Sequence, residues 1–272
     1  MLEGPESPAS TFSVLSGSPP ALDLSTLSIL NSFLSSRDQE RTLFNQLAEQ
    51  TVATHGLGIE VSPEDVDDED IVNPMISVDE YRAAFGEDWQ LSQFWYSTTF
   101  ATQLARSIRS ICKPSDRVAF LCSPTAFVAF QHEYSWKKAH LLEFDSRFSV
   151  LDPKRFVHYD LNEPDVFPEG LRGAVDIAVV DPPFLNEITN KKIATTLRQI
   201  LNPDRGKLII LTSTSVEDVL KSVYTEPPLG PLRKAIMDVE HGQLANDFAC
   251  WSSWDGAETF GATDPTDTLP AS

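Results

Sequence analysis

Asp176-Ile177-Ala178-Val179-Val180-Asp181-Pro182-Pro183-Phe184 is the stretch that decides what kind of fold this chain takes. Ile177 to Val180 is a continuous apolar run. A strand buried on both faces reads this way, whereas a half-exposed strand alternates. The two prolines after it fix φ and remove two N–H donors, so the chain must leave the strand extended. Leu208 to Leu211 is a second run of the same kind.

Working outward, further strands are expected at Arg117 to Cys122, Ala139 to Phe144 and Arg155 to Tyr159 before the central stretch. Later ones are expected at Lys207 to Thr212, Ala235 to Val239 and Asn246 to Ser252. Helical periodicity marks Ser97 to Cys112, through Phe100, Leu104, Ile108 and Ile111, and also Lys191 to Leu201. Strands alternating with helices imply an α/β chain: a Rossmann-like, mostly parallel, seven-stranded sheet with helices on both faces. Near the N-terminus, Leu24, Leu27, Leu30, Phe33 and Leu34 recur at helical spacing, with Asp23 or Ser25 as N-cap. Leu43, Phe44 and Leu47 continue the stripe. The expected organisation is a disordered stretch over 1–20 and a helical extension over 21–58. An acidic linker over 59–74, containing Asp67-Asp68-Glu69-Asp70, leads into a catalytic domain over 75–258 and a flexible tail over 259–272.

Charge narrows the partners. The net charge is -19, and residues 1–89 carry 17 acidic and 3 basic side chains, against 21 and 18 over 90–260. Phosphate affinity comes from Lys and Arg, so nucleic acid is a poor partner and a basic protein a better one. Cys112, Cys122 and Cys250 show no paired spacing, which speaks for reduced thiols, no metal site and a cytoplasmic location. No run reaches the roughly 18 apolar residues of a spanning helix, and the first residues lack the pattern of a signal peptide.

In an open parallel sheet, ligands bind beyond the carboxyl ends of the strands. The residues just past each strand are therefore informative: Ser123-Pro124-Thr125 after the first, Glu143 and Asp145 after the second, Asp160 and Leu161 after the third. Acids ending neighbouring strands suit a nucleoside, with Glu143 or Asp145 on the ribose hydroxyls and Asp160 toward the base. After the fourth strand, Asp181 and a proline carbonyl from Pro182 or Pro183 can accept N–H groups and aim an amine's lone pair. The ring of Phe184 can stack on a flat base or attract a cation.

Four segments occur in order: Gln93-Phe94-Trp95-Tyr96-Ser97, Phe144-Asp145-Ser146-Arg147-Phe148, His158-Tyr159-Asp160-Leu161-Asn162-Glu163-Pro164 and Asp181-Pro182-Pro183-Phe184-Leu185. Leu244-Ala245-Asn246-Asp247-Phe248 comes later. Together they resemble the class I methyltransferases with an Asn/Asp-Pro-Pro-Tyr/Phe motif. Within that group they resemble the Efm5-like lysine methyltransferases of translation elongation factor 1-alpha, earlier labelled putative N6-adenine DNA methyltransferases. The resemblance covers roughly residues 75–255. It implies S-adenosyl-L-methionine as cofactor, elongation factor 1-alpha as protein substrate and direct transfer to a neutral lysine amine. A monomer is expected. Asp181, Pro182, Pro183 and Phe184 then form the catalytic segment. Trp95, Tyr96 and Phe184 become aromatic walls for the lysine. Ser123, Thr125, Glu143, Asp145, Asp160 and Leu161 hold the cofactor. The usual Gly-x-Gly of the first loop is missing, which leaves the methionine-end contacts to Ser123 and Thr125. Two other functions compete: adenine methylation of nucleic acid by the same motif, and a non-catalytic scaffold.

The cofactor assignment is measurable. Glu143→Ala or Asp160→Ala should weaken S-adenosylmethionine binding by about 1.5–3 kcal/mol, the range for a hydrogen bond to a charged group. Calorimetry on the folded variants checks it, and unchanged affinity in both would place the cofactor elsewhere.

Overall fold

The computed structural model describes residues 23–55, 75–242 and 247–262. The expected disordered stretch, the whole of the acidic linker over 59–74 and all but the start of the tail lie outside them. In chain order the elements are α1 Leu24–His55, α2 Val78–Ala84, α3 Thr98–Ile111, β1 Val118–Leu121, α4 Pro124–Tyr134, β2 Ala139–Glu143, β3 Phe156–His158, β4 Ile177–Val180, α5 Glu187–Ile200, β5 Lys207–Ser213, α6 Glu217–Val223, β6 Arg233–Asp238 and β7 Phe248–Ser252. All seven expected strands form, each within two residues of its expected bounds at both ends.

The strands make one sheet in the order β3-β2-β1-β4-β5-β7-β6. β3, β2, β1, β4 and β5 are parallel neighbours, and β7 runs antiparallel to both β5 and β6. β1 lies between β2 and β4, so the chain reverses its direction of winding there. Such a switch point opens a crevice beyond the carboxyl ends of the two strands. β4 and β1 are buried along their whole length, as continuous apolar runs require. Asp176, at the entry to β4, fixes the strand's start: it accepts from the Arg117 amide at 2.9 Å and from Arg205 Nε at 2.6 Å.

Local chemistry sets the helices. Ser97 caps α3 by accepting from the Phe100 amide at 3.1 Å, and Phe100, Leu104 and Ile108 then fall on its buried face. α4 begins with Pro124 at its first position, where the absent N–H is no loss. It stops at Ser135 in a left-handed conformation (φ 46°). In α2, Ser77 and Glu80 cap each other reciprocally. The crossover from β3 to β4 is the exception, since residues 159–176 contain only the single 3-10 turn Glu169–Leu171.

The chain divides into two compact units, residues 1–39 and 40–272, and the division falls within α1. The polar interval at Ser35 to Glu40 does not break the helix. In the first unit Asp23 caps α1, accepting from the Thr26 amide at 2.8 Å, and Leu24, Ile29, Phe33 and Leu34 are exposed. In the second unit Phe44 and Leu47 pack against the core, Phe44 edge-on to Phe85, and Thr51 donates to the Val150 carbonyl at 2.7 Å. Packed structure therefore reaches back to Glu40 and forward to Phe260, which is buried edge-on against Trp254.

The two halves of α1 should respond differently to truncation. Phe44→Ala is expected to cost about 1–3 kcal/mol, less than a fully buried Phe because the ring is only partly covered. Ile29→Ser should stay within about 0.5 kcal/mol. Urea unfolding of both variants checks this, and equal losses would contradict it.

Candidate active site

Beyond the carboxyl ends of β1, β2, β3 and β4 lies a cavity of about 240 Å3. Its walls come from five segments that the topology gathers: residues 91–96, the β1 exit at 122–125, the β2 end at 143–144, the β3 exit at 159–162, and 181–192 after β4. Ten of the expected site residues line it: Ser123, Thr125, Glu143, Asp160, Leu161, Asp181, Pro183, Trp95, Tyr96 and Phe184. Of these, Phe184 is 45% exposed. Pro182 is buried and outside the lining.

Asp181 is the focus. Its backbone N–H continues the β4 ladder to the Leu121 carbonyl (3.1 Å), and its carboxylate Oδ2 accepts from the Tyr96 hydroxyl at 2.5 Å. Burial pushes its carboxyl up to about 7; the Tyr96 bond pulls the other way, and nearby Glu143 adds to the rise. Tyr96 is itself buried, which drives its phenol well above the ordinary range and keeps it a donor. The segment carrying it is pinned by the Ser97 amide on the Glu240 carbonyl (3.0 Å) and by His241, whose ring lies 4.8 Å from that of Tyr96.

Glu143 ends β2. One of its oxygens accepts from the amides of Phe144 (3.1 Å) and Asp145 (3.4 Å), and burial raises its carboxyl to about 7. Asp160 folds onto the Asn162 amide at 2.7 Å, and Lys192 Nζ meets the Asn162 side chain at 2.7 Å. The loop after β1 makes its turn without a glycine. Cys122 adopts a left-handed conformation (φ 52°), a turn normally given to glycine and worth about 1–2 kcal/mol of strain in another residue. Ser123, its hydroxyl on the Val179 carbonyl at 3.2 Å, then leads directly into α4.

Two expectations come out differently. Asp145 does not share Glu143's direction, because β2 ends at Glu143 and Asp145 caps the following 3-10 turn. Its carboxylate is held by Arg147, with Nη2 at 2.6 Å, and lies outside the cavity lining. Burial would raise its pKa, but the Arg147 bonds outweigh burial and hold it below the usual range. The Trp95 ring is not an open aromatic wall. Its Nε1 donates to the Phe85 carbonyl at 2.7 Å and it sits edge-on to Tyr81, as a core ring does. Gln93 lines the cavity without having been among the expected site residues, although the first quoted segment begins with it. It is buried, donates to Asp145 at 3.3 Å, and its Oε1 has no partner. A polar side chain beside Phe94, Trp95 and Tyr96 was the available signal.

The family described as probable N6-adenine methyltransferase matches residues 87–256. The chain belongs to that family. Among curated relatives, protein-lysine N-methyltransferase EFM5 of Saccharomyces cerevisiae is 33% identical over 187 residues, 63% of this chain and 73% of the yeast protein. EEF1A lysine methyltransferase 1 of Homo sapiens is 29% identical over 171 residues, 62% of this chain and 76% of its own length. The Efm5-like resemblance is thus borne out, and with it an S-adenosylmethionine-dependent methyltransferase. A Thermus thermophilus branched-chain polyamine synthase, solved with N4-aminopropylspermidine and 5'-methylthioadenosine, superposes with a TM-score of 0.50 at 12% identity. It is matched over 65% of this chain and 62% of the synthase, and it shows the fold alone. Among the described residues, no helix is long and apolar enough to cross a membrane, and no acid, His and Cys side chains group as metal ligands.

The raised carboxyls have a stability consequence. Asp181 binds its proton more tightly in the folded protein (about 7) than at its ordinary value of 3.8. Its contribution is complete below about pH 4 and is lost as pH rises through about 7. Asp181→Asn should therefore raise the melting temperature of the ligand-free protein at pH 8, and the gain should vanish toward pH 4. A gain that grows on acidification would contradict the burial argument.

Proposed function

We propose that this chain methylates one lysine amine of translation elongation factor 1-alpha, in the cavity between Tyr96 and the Asp181-Pro182-Pro183-Phe184 segment. The observation that carries the reading is the Tyr96–Asp181 hydrogen bond at the end of β4. It fixes one carboxylate oxygen and leaves the other for an incoming N–H.

The cavity suits the cofactor. Glu143 offers a buried carboxylate with only one oxygen occupied by described backbone amides, a fit for ribose hydroxyls. In this reading Asp160 and Leu161 would meet the base, and Ser123 and Thr125, after the left-handed Cys122 turn, the methionine end. Bound there, S-adenosylmethionine supplies an electrophilic methyl group. The chain's own residues prepare the amine. A free lysine has a pKa near 10.4 and carries no lone pair at neutral pH. A poorly hydrated pocket favours the neutral form, while the Asp181 charge favours the ammonium. Asp181 therefore acts mainly in positioning, accepting an N–H and orienting the lone pair. Pro183 lines the cavity beside it, and Phe184 at the mouth contacts the apolar stem of the lysine. The curated relatives named as elongation factor and lysine methyltransferases support this substrate, as does the acidic N-terminal part of the chain facing a basic partner.

Adenine methylation of a nucleic acid is the second reading, favoured by the exposed Phe184 ring, which could stack on a flipped base. The net charge of -19 weighs against it.

Asp181→Ala should keep S-adenosylmethionine affinity within a few-fold and lower turnover on elongation factor 1-alpha by about 100-fold or more. Tyr96→Phe removes the bond that lowers the Asp181 pKa, so its surviving activity should show an acidic limb displaced to higher pH. Single-turnover kinetics across pH tests both. A fully active Asp181→Ala protein would sink the proposal.

A further inference from the structure

A second cavity opens beside β3, and nothing in the proposed reaction uses it. Its volume is about 410 Å3, against 240 Å3 for the first. The topology explains it. Parallel strands are usually joined by a helix that lies across the sheet. The link from β3 to β4 has only the turn Glu169–Leu171, so a loop over 166–171 roofs this part of the sheet instead. His140 is paired in register with Ala119 and lies two residues before Leu142. It therefore points away from the Leu141 side and into the space the loop leaves.

The lining has a definite chemistry. Its polar groups are Arg117, His140, Lys154 and His158, with no carboxylate among them, in a chain of net charge -19. Phe156, Phe167 and Val166 supply apolar wall, and Arg172 lies over the Phe167 ring at 4.8 Å. Arg117 is anchored through Nη1 on the Gly170 carbonyl, yet its buried Nε has no partner, and neither does His140 Nδ1. Both nitrogens lie just behind the cavity wall, where polar groups are nearly always paired. Burial above all, with Arg117 and Arg155 adding to it, lowers the His140 pKa to about 4 and keeps the imidazole neutral.

We propose that this cavity is a ligand site for a small oxyanion with an apolar body, a phosphate monoester being the fitting class. An oxyanion seated against Arg117 and Lys154 meets charge-assisted donors, and a small turn of the Arg117 side chain would bring its unpaired Nε onto it. The volume exceeds what one inorganic anion fills and matches a small-molecule site. The aromatic and aliphatic walls take the rest of the ligand. The ring of Phe144 in the first cavity lies 5.5 Å from that of His158 in the second, tilted by 44°, so one ring pair lies between the two sites.

The test uses the full chain saturated with S-adenosylmethionine, which keeps probes out of the first cavity. Histidine imidazoles are followed by NMR and heats by calorimetry, with phenyl phosphate, inorganic phosphate and phenol as probes. Phenyl phosphate should move the His140 resonance and bind about 10-fold more tightly than inorganic phosphate, with phenol silent. His140→Phe and Arg117→Met should each weaken phenyl phosphate by about 10-fold or more, while His140→Phe retains methylation without added phosphate. No His140 response to phenyl phosphate, or equal binding by wild type and both variants, would overturn the proposal. Phenol binding as tightly as phenyl phosphate would also overturn it, by making the cavity an apolar void.

Discussion

The Tyr96–Asp181 hydrogen bond ties together parts of the chain far apart in sequence. Asp181 is the first residue past β4, at the point where the sheet's winding reverses. Tyr96 precedes α3, 85 residues earlier. For the two to meet, β4 must sit beside β1, the 93–97 segment must be held over the strand ends, and the 240–242 loop must hold that segment. The raised carboxyl of Asp181 is the energetic trace of this arrangement. A fold chosen only for stability would not leave two carboxyls, Asp181 and Glu143, dehydrated beside one cavity. Local destabilisation of this kind is common where polar groups are prepared for a ligand.

Much of the fold was legible because its signals are local. Ile177 to Val180 and Leu208 to Leu211 are apolar runs that admit few alternatives, and Pro182-Pro183 fixes how β4 ends. The parts that were not legible depend on contacts distant in sequence. Nothing in Phe248 to Ser252 announces that β7 inserts between β5 and β6. Strand periodicity, carried two residues too far, pairs Asp145 with Glu143. The 3-10 turn after β2 gives Asp145 to Arg147 instead. Tyr96 and Trp95 are adjacent in sequence, yet one reaches the cavity's key carboxylate and the other caps a backbone carbonyl in the core. Alternation of side-chain direction along an extended segment separates them, and only the packing says which one faces inward.

The absent glycines teach a similar lesson. A first loop without Gly-x-Gly leaves the methionine-end contacts to Ser123 and Thr125. The turn survives because Cys122 takes the left-handed conformation that glycine would normally supply. The left-handed turn is present without a glycine, so a motif search tuned to glycine misses it. The shortened β3–β4 crossover is the reverse case. There the usual helix is missing, and the sheet carries a cavity in its place.

The central claim is that the amine seated against Asp181 belongs to a lysine side chain. Peptide mass spectrometry of purified elongation factor 1-alpha, incubated with this protein and S-adenosylmethionine, tests it most directly. The account predicts methyl gain on one lysine, absent when that lysine is replaced by arginine. An unmodified factor, with methyl groups found instead on adenines of added nucleic acid, would contradict it.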